Sequence, residues 1–231
     1  FSLYQKLGIN AVKTGYVNKL IDGKERHDSQ YGVRHYRKVI EAAARYHLMI
    51  DNHEPVMPTG LQRTYPNLMT QEGIRGQEYN AWATDGGNPP SHTATLPFTR
   101  GLAGPMDYTP NVFNHSNPIH PETQPGTTLA GEIALNVILF SPLQMAADLI
   151  ENYEKVPVFE FVTSCPTTWS KTVVPEAGIG RYVTIVRKER GGERWFLGSI
   201  TNEEARVTHI PLSFLDTGIQ YRARIFVDGE D

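Results

Sequence analysis

Residues 29–54 read SQYGVRHYRKVIEAAARYHLMIDNHE, and this stretch decides the fold. Val33, Tyr36, Ile40, Ala43 and Ala44 recur at helical spacing, with Arg34, Arg37, Lys38 and Glu41 between them. Ser29 is placed to cap the helix. Leu48, Met49 and Ile50 then begin a short strand that runs into Asp51-Asn52-His53-Glu54. Upstream, residues 9–17 form another apolar run with polar residues near its end. Strand, helix, strand in that order predicts a right-handed βαβ unit.

Working outward, Pro55 to Pro66 holds three prolines and a glycine and reads as loop. Leu68-Met69-Thr70 is a short strand with Glu72 at its end. Residues 84–93 and 101–110 read as polar loops, the second holding Met106-Asp107-Tyr108. A helix is predicted from Thr127 to Phe140, and a last strand with its loop from Ser141 to Asp148. Beyond Pro166 the pattern becomes strand-like at 182–187, 194–200 and 207–212, with a Gly191-Gly192 turn between the first two. The closing residues, 224–231, read as a strand entering a turn. The expected architecture is therefore α/β over 1–165, followed by a small antiparallel β domain over 166–231.

The chain has 231 residues, 39% of them hydrophobic, enough for a sizeable core. A net charge of -3 gives no reason to expect a nucleic-acid partner, and no apolar run approaches the ~18 residues of a membrane span. One cysteine, Cys165, excludes an internal disulfide framework. The chain opens at Phe1 without a signal pattern, and both ends read as cut, so the expectation is a fragment.

In a parallel barrel, polar residues just past the strand ends line the site. Lys13 to Tyr16, Asn52-His53-Glu54, Glu72 with Glu78, and Met106-Asp107-Tyr108 fit that position. Three glutamates on neighbouring loops would repel unless a cation compensates them, and oxygen ligands suit calcium. A carboxyl among like charges has a raised pKa, as a general acid needs. Against this, a lone loop glutamate is more often a solvated charge and a lone His53 more often structural. Trp82 is either core or a sugar-stacking platform. Asp107 caps a helix or meets substrate, and Arg63, Arg75 and Arg100 pair with carboxylates or face solvent. His115 and His120 receive no role.

The motifs in combination are more specific. Val12-Lys13-Thr14-Gly15-Tyr16, Asn52-His53-Glu54 and Arg63-Thr64-Tyr65-Pro66-Asn67-Leu68 stand in order. They are followed by Glu72-Gly73-Ile74-Arg75-Gly76-Gln77-Glu78-Tyr79, Leu96-Pro97-Phe98-Thr99-Arg100, Gly104-Pro105-Met106-Asp107-Tyr108-Thr109-Pro110 and Ser141-Pro142-Leu143-Gln144-Met145-Ala146-Ala147-Asp148. Together they resemble glycoside hydrolase family 97, whose members are α-glucosidases and α-galactosidases.

The resemblance implies the C-terminal half of a (β/α)8 TIM barrel and most of a C-terminal β domain. The N-terminal half of the enzyme would be the missing partner. It implies Glu78 as general acid, and Glu54, Glu72 and Glu78 as ligands of a Ca2+ ion, with a further ligand from the N-terminal half. Lys13 and His53 would hydrogen-bond sugar hydroxyls. Retaining members carry an aspartate nucleophile where this chain has Gly15 and lack the glutamate at position 54. Gly15 with Glu54 thus resembles the inverting branch, with Glu54 as general base. The implied activity is an inverting α-glucosidase on α-linked oligosaccharides, in the periplasm or outside the cell. The alternatives are a retaining α-galactosidase and a non-catalytic sugar- or calcium-binding remnant. The 231 residues alone are expected to be inactive.

Overall fold

The βα pattern in the first part of the chain builds a parallel sheet. The structure is a computed structural model that describes residues 1–18, 20–154 and 156–229. It divides into two compact units. The first comprises Phe1–Gly76, Thr99–Tyr108 and Phe140–Gln144. The second comprises Gln77–Phe98, Thr109–Leu139 and Met145–Asp231. The units interleave along the chain.

In the first unit a short helix α1 (Ser2–Lys6) leads into β1 (Ala11–Thr14). A small hairpin, β2 (Leu20–Ile21) and β3 (Glu25–Arg26), intervenes before α2 (Gln30–Arg45). Then come β4 (Met49–Asn52) and β5 (Leu68–Gln71). The sheet order is β1-β4-β5, all parallel. Ser29 caps α2 as its sequence position predicts, its side chain accepting from the Gly32 N–H at 3.2 Å. The apolar stripe of α2 lies on the sheet: Ile40 and Ala43 pack with Leu48, Ile50 and Leu68 in a buried cluster. The sheet's hydrogen bonding continues past β5. Asp107 N–H donates to the Gln71 carbonyl at 3.1 Å, and Met106 N–H to that of Phe140 at 2.9 Å.

The second unit contains α3 (Tyr79–Trp82), α4 (Pro90–Thr93), α5 (Leu129–Ile138), α6 (Ile150–Tyr153) and α7 (Phe159–Ser164). It ends in an antiparallel sheet of β6 (Trp169–Gly178), β7 (Tyr182–Glu189) and β8 (Trp195–Thr201). The β7–β8 turn passes through Gly191, whose φ of 78° is cheap only for glycine. Helix α5 lies so close to β8 that a Cβ at Gly198 would stand 2.7 Å from the Ala134 carbonyl oxygen. Phe113, Tyr153 and Phe159 form an aromatic cluster with Ile133.

Three sequence expectations are corrected. Residues 141–148 and 207–212 are not strands, and neither are the described residues at the chain's end. Val207 and Leu212 are largely exposed, and an apolar run becomes a strand only where a neighbouring strand takes its hydrogen bonds. Conversely, β6 was not anticipated. Its polar Ser170-Lys171-Thr172 and Pro175 mask a strand that, among the described residues, pairs on one side with β7.

Candidate active site

Parallel strands of similar length deliver their ends to the same edge of a sheet, and the first unit's polar residues collect there. Lys13 of β1 is the register partner of Asp51 of β4, so the two share a face. His53, two residues on, shares it by the strand's alternation. Asp107 arrives from the next segment. Asp107 Oδ2 accepts from Lys13 Nζ at 3.0 Å and lies 2.7 Å from His53 Nε2. Asp51 Oδ2 lies 3.9 Å from Lys13 Nζ and 4.0 Å from His53 Nε2.

Asp51 and Asp107 are both fully buried. With both ionised, neither oxygen of Asp51 has a hydrogen-bond partner. Burial, and then the adjoining Asp107, push the Asp51 carboxyl well above the usual carboxylate range. Burial also opposes the charge on Asp107, but the bonds from His53 and Asp51 and the Lys13 charge outweigh it and hold that carboxyl well below the usual range. The Asp107 side chain is thus an acceptor at the base of the site, not a helix cap.

Above this layer stand the glutamates. Glu54 follows β4 in the left-handed region, at φ 55°, a strained conformation for a residue with a side chain. The strain is held from several sides. Tyr36 of α2 donates its hydroxyl to the carbonyls of His53 at 3.0 Å and Glu54 at 2.7 Å. The Glu54 N–H donates to Glu72 Oε2 at 2.9 Å. The Glu54 carboxylate turns toward β1, where Oε2 accepts from the Tyr16 N–H at 2.7 Å. A Cβ built on Gly15 would lie 3.7 Å from that same oxygen.

Glu72, at the end of β5, is buried, and its Oε2 lies 3.7 Å from His53 Nδ1. Arg100, also buried, fixes the loops around it. Its guanidinium donates to the carbonyls of Glu72 (3.0 Å), Gln71 (2.8 Å), Gly104 (3.0 Å) and Pro105 (2.9 Å). Burial lowers the Arg100 pKa to about 10, so it stays charged at neutral pH. It serves main-chain carbonyls where pairing with carboxylates was expected.

Among the described residues, two groups of ligand atoms come within 4.8 Å of one another: Asp51, His53 and Asp107, and His53, Glu54 and Glu72. The Lys13 ammonium already lies against the first, which opposes a metal cation there. The second offers two carboxylates at the rim, the donor chemistry that calcium prefers. Two carboxylates would supply only part of a calcium shell, which takes six to eight oxygens.

The remaining expected residue, Glu78, belongs to the second unit. It is exposed, immediately ahead of α3, beside the buried Gln77. In that unit a cleft of about 440 Å³ is lined by Gln77, Asn80, Trp82, Asn114, Asn117 and His120 among others. Trp82 is half exposed and lies on Tyr79, with ring centroids 4.4 Å apart. An exposed indole favours the sugar platform over the core for Trp82.

Asp51 was not singled out from sequence, although its place in an apolar strand, facing Lys13 in register, is a signal that a polar residue is buried there for a reason.

Comparison with known proteins agrees with this architecture. Residues 1–74 match the family model described as glycoside hydrolase 97, and residues 168–231 match that of the glycosyl-hydrolase 97 C-terminal, oligomerisation domain. A family 97 enzyme from Pseudoalteromonas sp. strain K8, solved with panose and with acarbose, is 43% identical with a TM-score of 0.84. The similarity covers 94% of this chain and 35% of that one. A retaining alpha-galactosidase of Bacteroides thetaiotaomicron is 31% identical over 232 residues, 98% of this chain and 33% of that protein. A probable retaining alpha-galactosidase of Streptomyces bingchenggensis is 30% identical over 228 residues. The chain belongs to glycoside hydrolase family 97. It spans about a third of the length of the curated relatives it matches.

Proposed function

We propose that the enzyme containing this chain releases terminal α-linked glucose from oligosaccharides with inversion. In this reading the continued parallel sheet is half of a (β/α)8 barrel, and the residues after 165 open the C-terminal β domain. The observation that carries the reading is the pairing of Gly15 with Glu54, whose Oε2 lies 3.7 Å from where a Cβ at position 15 would stand. A nucleophilic carboxylate on β1's end and the Glu54 carboxylate would compete for one volume. Here the strand-end carboxylate comes from position 54, and position 15 offers no nucleophile.

Glu54 then acts as general base, taking a proton from the water that attacks the anomeric carbon. Glu78 donates its proton to the departing glycosidic oxygen from the opposite face. Inversion needs the two carboxyls roughly 6.5–9.5 Å apart so that water fits between base and sugar. The donors from Tyr16 and Tyr36 hold Glu54 in place for this task. Lys13 and His53 meet sugar hydroxyls in this scheme, with Asp107 orienting both from below. A calcium ion held by Glu54, Glu72 and Glu78 would neutralise their mutual repulsion and polarise bound substrate. The sugar assignment draws support from the 43% identical relative solved in complex with panose and with acarbose. A periplasmic or secreted location accompanies the assignment.

Glu78→Gln in the complete enzyme tests the acid. Turnover of substrates with poor leaving groups should fall by about 10²–10⁴, while substrates with activated leaving groups are largely spared. Equal loss on both would assign Glu78 a metal-binding or structural role instead. The second reading, a retaining α-galactosidase, is favoured by the descriptions of the curated relatives. It would need a nucleophile other than residue 15.

A further inference from the structure

Gln77 and Glu78 are neighbours with opposite surroundings, one buried and one exposed. The Gln77 side chain is held at both ends. Its Nε2 donates to Glu132 Oε1 at 2.8 Å, and its Oε1 accepts from Asn80 Nδ2 at 3.2 Å. Asn80 cannot reverse its amide, because its Oδ1 accepts from the Asn88 N–H at 2.6 Å. The donor direction therefore runs one way, from Asn88 through Asn80 and Gln77 to Glu132. Only an acceptor can terminate it.

Glu132 sits on α5 and is fully buried. Its second oxygen accepts from the Asn111 N–H at 2.9 Å. Asn111 is in the left-handed region at φ 73°, and its side chain forms a reciprocal amide pair with Asn136 at 3.1 and 2.8 Å. Both oxygens of Glu132 are thus committed, one to each of two loop segments. Burial pushes its carboxyl up to about 7. Placing a carboxylate there is costly, yet a glutamine would turn an N–H₂ group against either Gln77 or Asn111.

We propose that Glu132 is a positioning residue for catalysis, fixing through Gln77 the backbone from which Glu78 projects. The inference rests on the reading of Glu78 as the general acid. Within the complete enzyme, Glu132→Gln should lower kcat at least about tenfold on an α-glucoside with a sugar leaving group. KM should change little, and a nitrophenyl α-glucoside should be nearly unaffected. The exchange Gln77→Glu with Glu132→Gln restores a donor–acceptor pair between the two positions and should recover most of the lost kcat. Unchanged turnover in Glu132→Gln, equal loss on both substrates, or no recovery in the exchange would overturn the proposal. Should Glu132→Gln fold poorly, Gln77→Met cuts the same bond and is judged by the same two substrates. Glu78→Gln separates the two levels. If it loses the sugar leaving group selectively and Glu132→Gln does not, only the positioning role falls. If it loses both substrates equally, the acid assignment fails and takes the positioning role with it.

Discussion

At position 15 the lack of a side chain leaves room for a carboxylate from the next strand. Glu54 fills that room, and Tyr16, Tyr36 and Glu72 each bond to some part of its backbone or carboxylate. Gly15→Asp would bring a second carboxylate against the first, since the added Cβ alone stands 3.7 Å from Glu54 Oε2. Like charges so close disfavour ionisation of one partner. The variant should fold normally by circular dichroism and lose about tenfold or more in kcat/KM as the general base is disturbed. Unimpaired activity would show that the Glu54 carboxylate is not needed where it stands. The glutamates themselves were legible in sequence, because strand ends can be read from short apolar runs. In the layer beneath them, Lys13, His53 and Asp107 were legible in the same way, but Asp51 was not. Asp51 and Asp107 are 56 positions apart, and their carboxyls meet only once the sheet has formed. Arg100 was visible as a cation, but its four carbonyl partners lie at the end of β5 and on loops whose course no local pattern fixes.

Helix α2 shows how an element serves the site. Its apolar face is read directly from the 3.6-residue period, and its cap from Ser29. Its functional contribution, the Tyr36 hydroxyl on the His53 and Glu54 carbonyls, comes from the same buried stripe and looks like ordinary core in the sequence. Near its start, Gly32 is required by a close approach: a Cβ there would lie 2.0 Å from the His27 carbonyl oxygen. Helix propensity alone favours alanine by about 1 kcal/mol. The clash should reverse the sign, so that Gly32→Ala destabilises by about 2 kcal/mol or more. Urea unfolding of the complete enzyme monitors this, and a neutral or stabilising result would contradict the packing at the head of α2. Elements without such periodicity escaped the sequence. Strand β6 is half-exposed and interrupted by Pro175, whereas residues 207–212 have the apolar alternation of a strand and no partner strand among the described residues.

On the scale of the whole molecule, the chain spans about a third of the length of its curated relatives. The α/β pattern and the antiparallel C-terminal sheet were readable from periodicity. Family membership was readable from seven ordered motifs, several of which place residues at the site: Lys13, His53, Glu54, Glu72 and Asp107. Stereochemical outcome is a property of the assembled enzyme, set by which carboxylate faces the anomeric carbon. The most direct test follows the first-formed sugar by proton NMR as the complete enzyme cleaves an α-linked glucose oligosaccharide, before mutarotation mixes the anomers. The account predicts β-glucose as the initial product. Initial release of α-glucose would contradict it, because a water activated by Glu54 opposite Glu78 cannot leave the anomeric configuration unchanged.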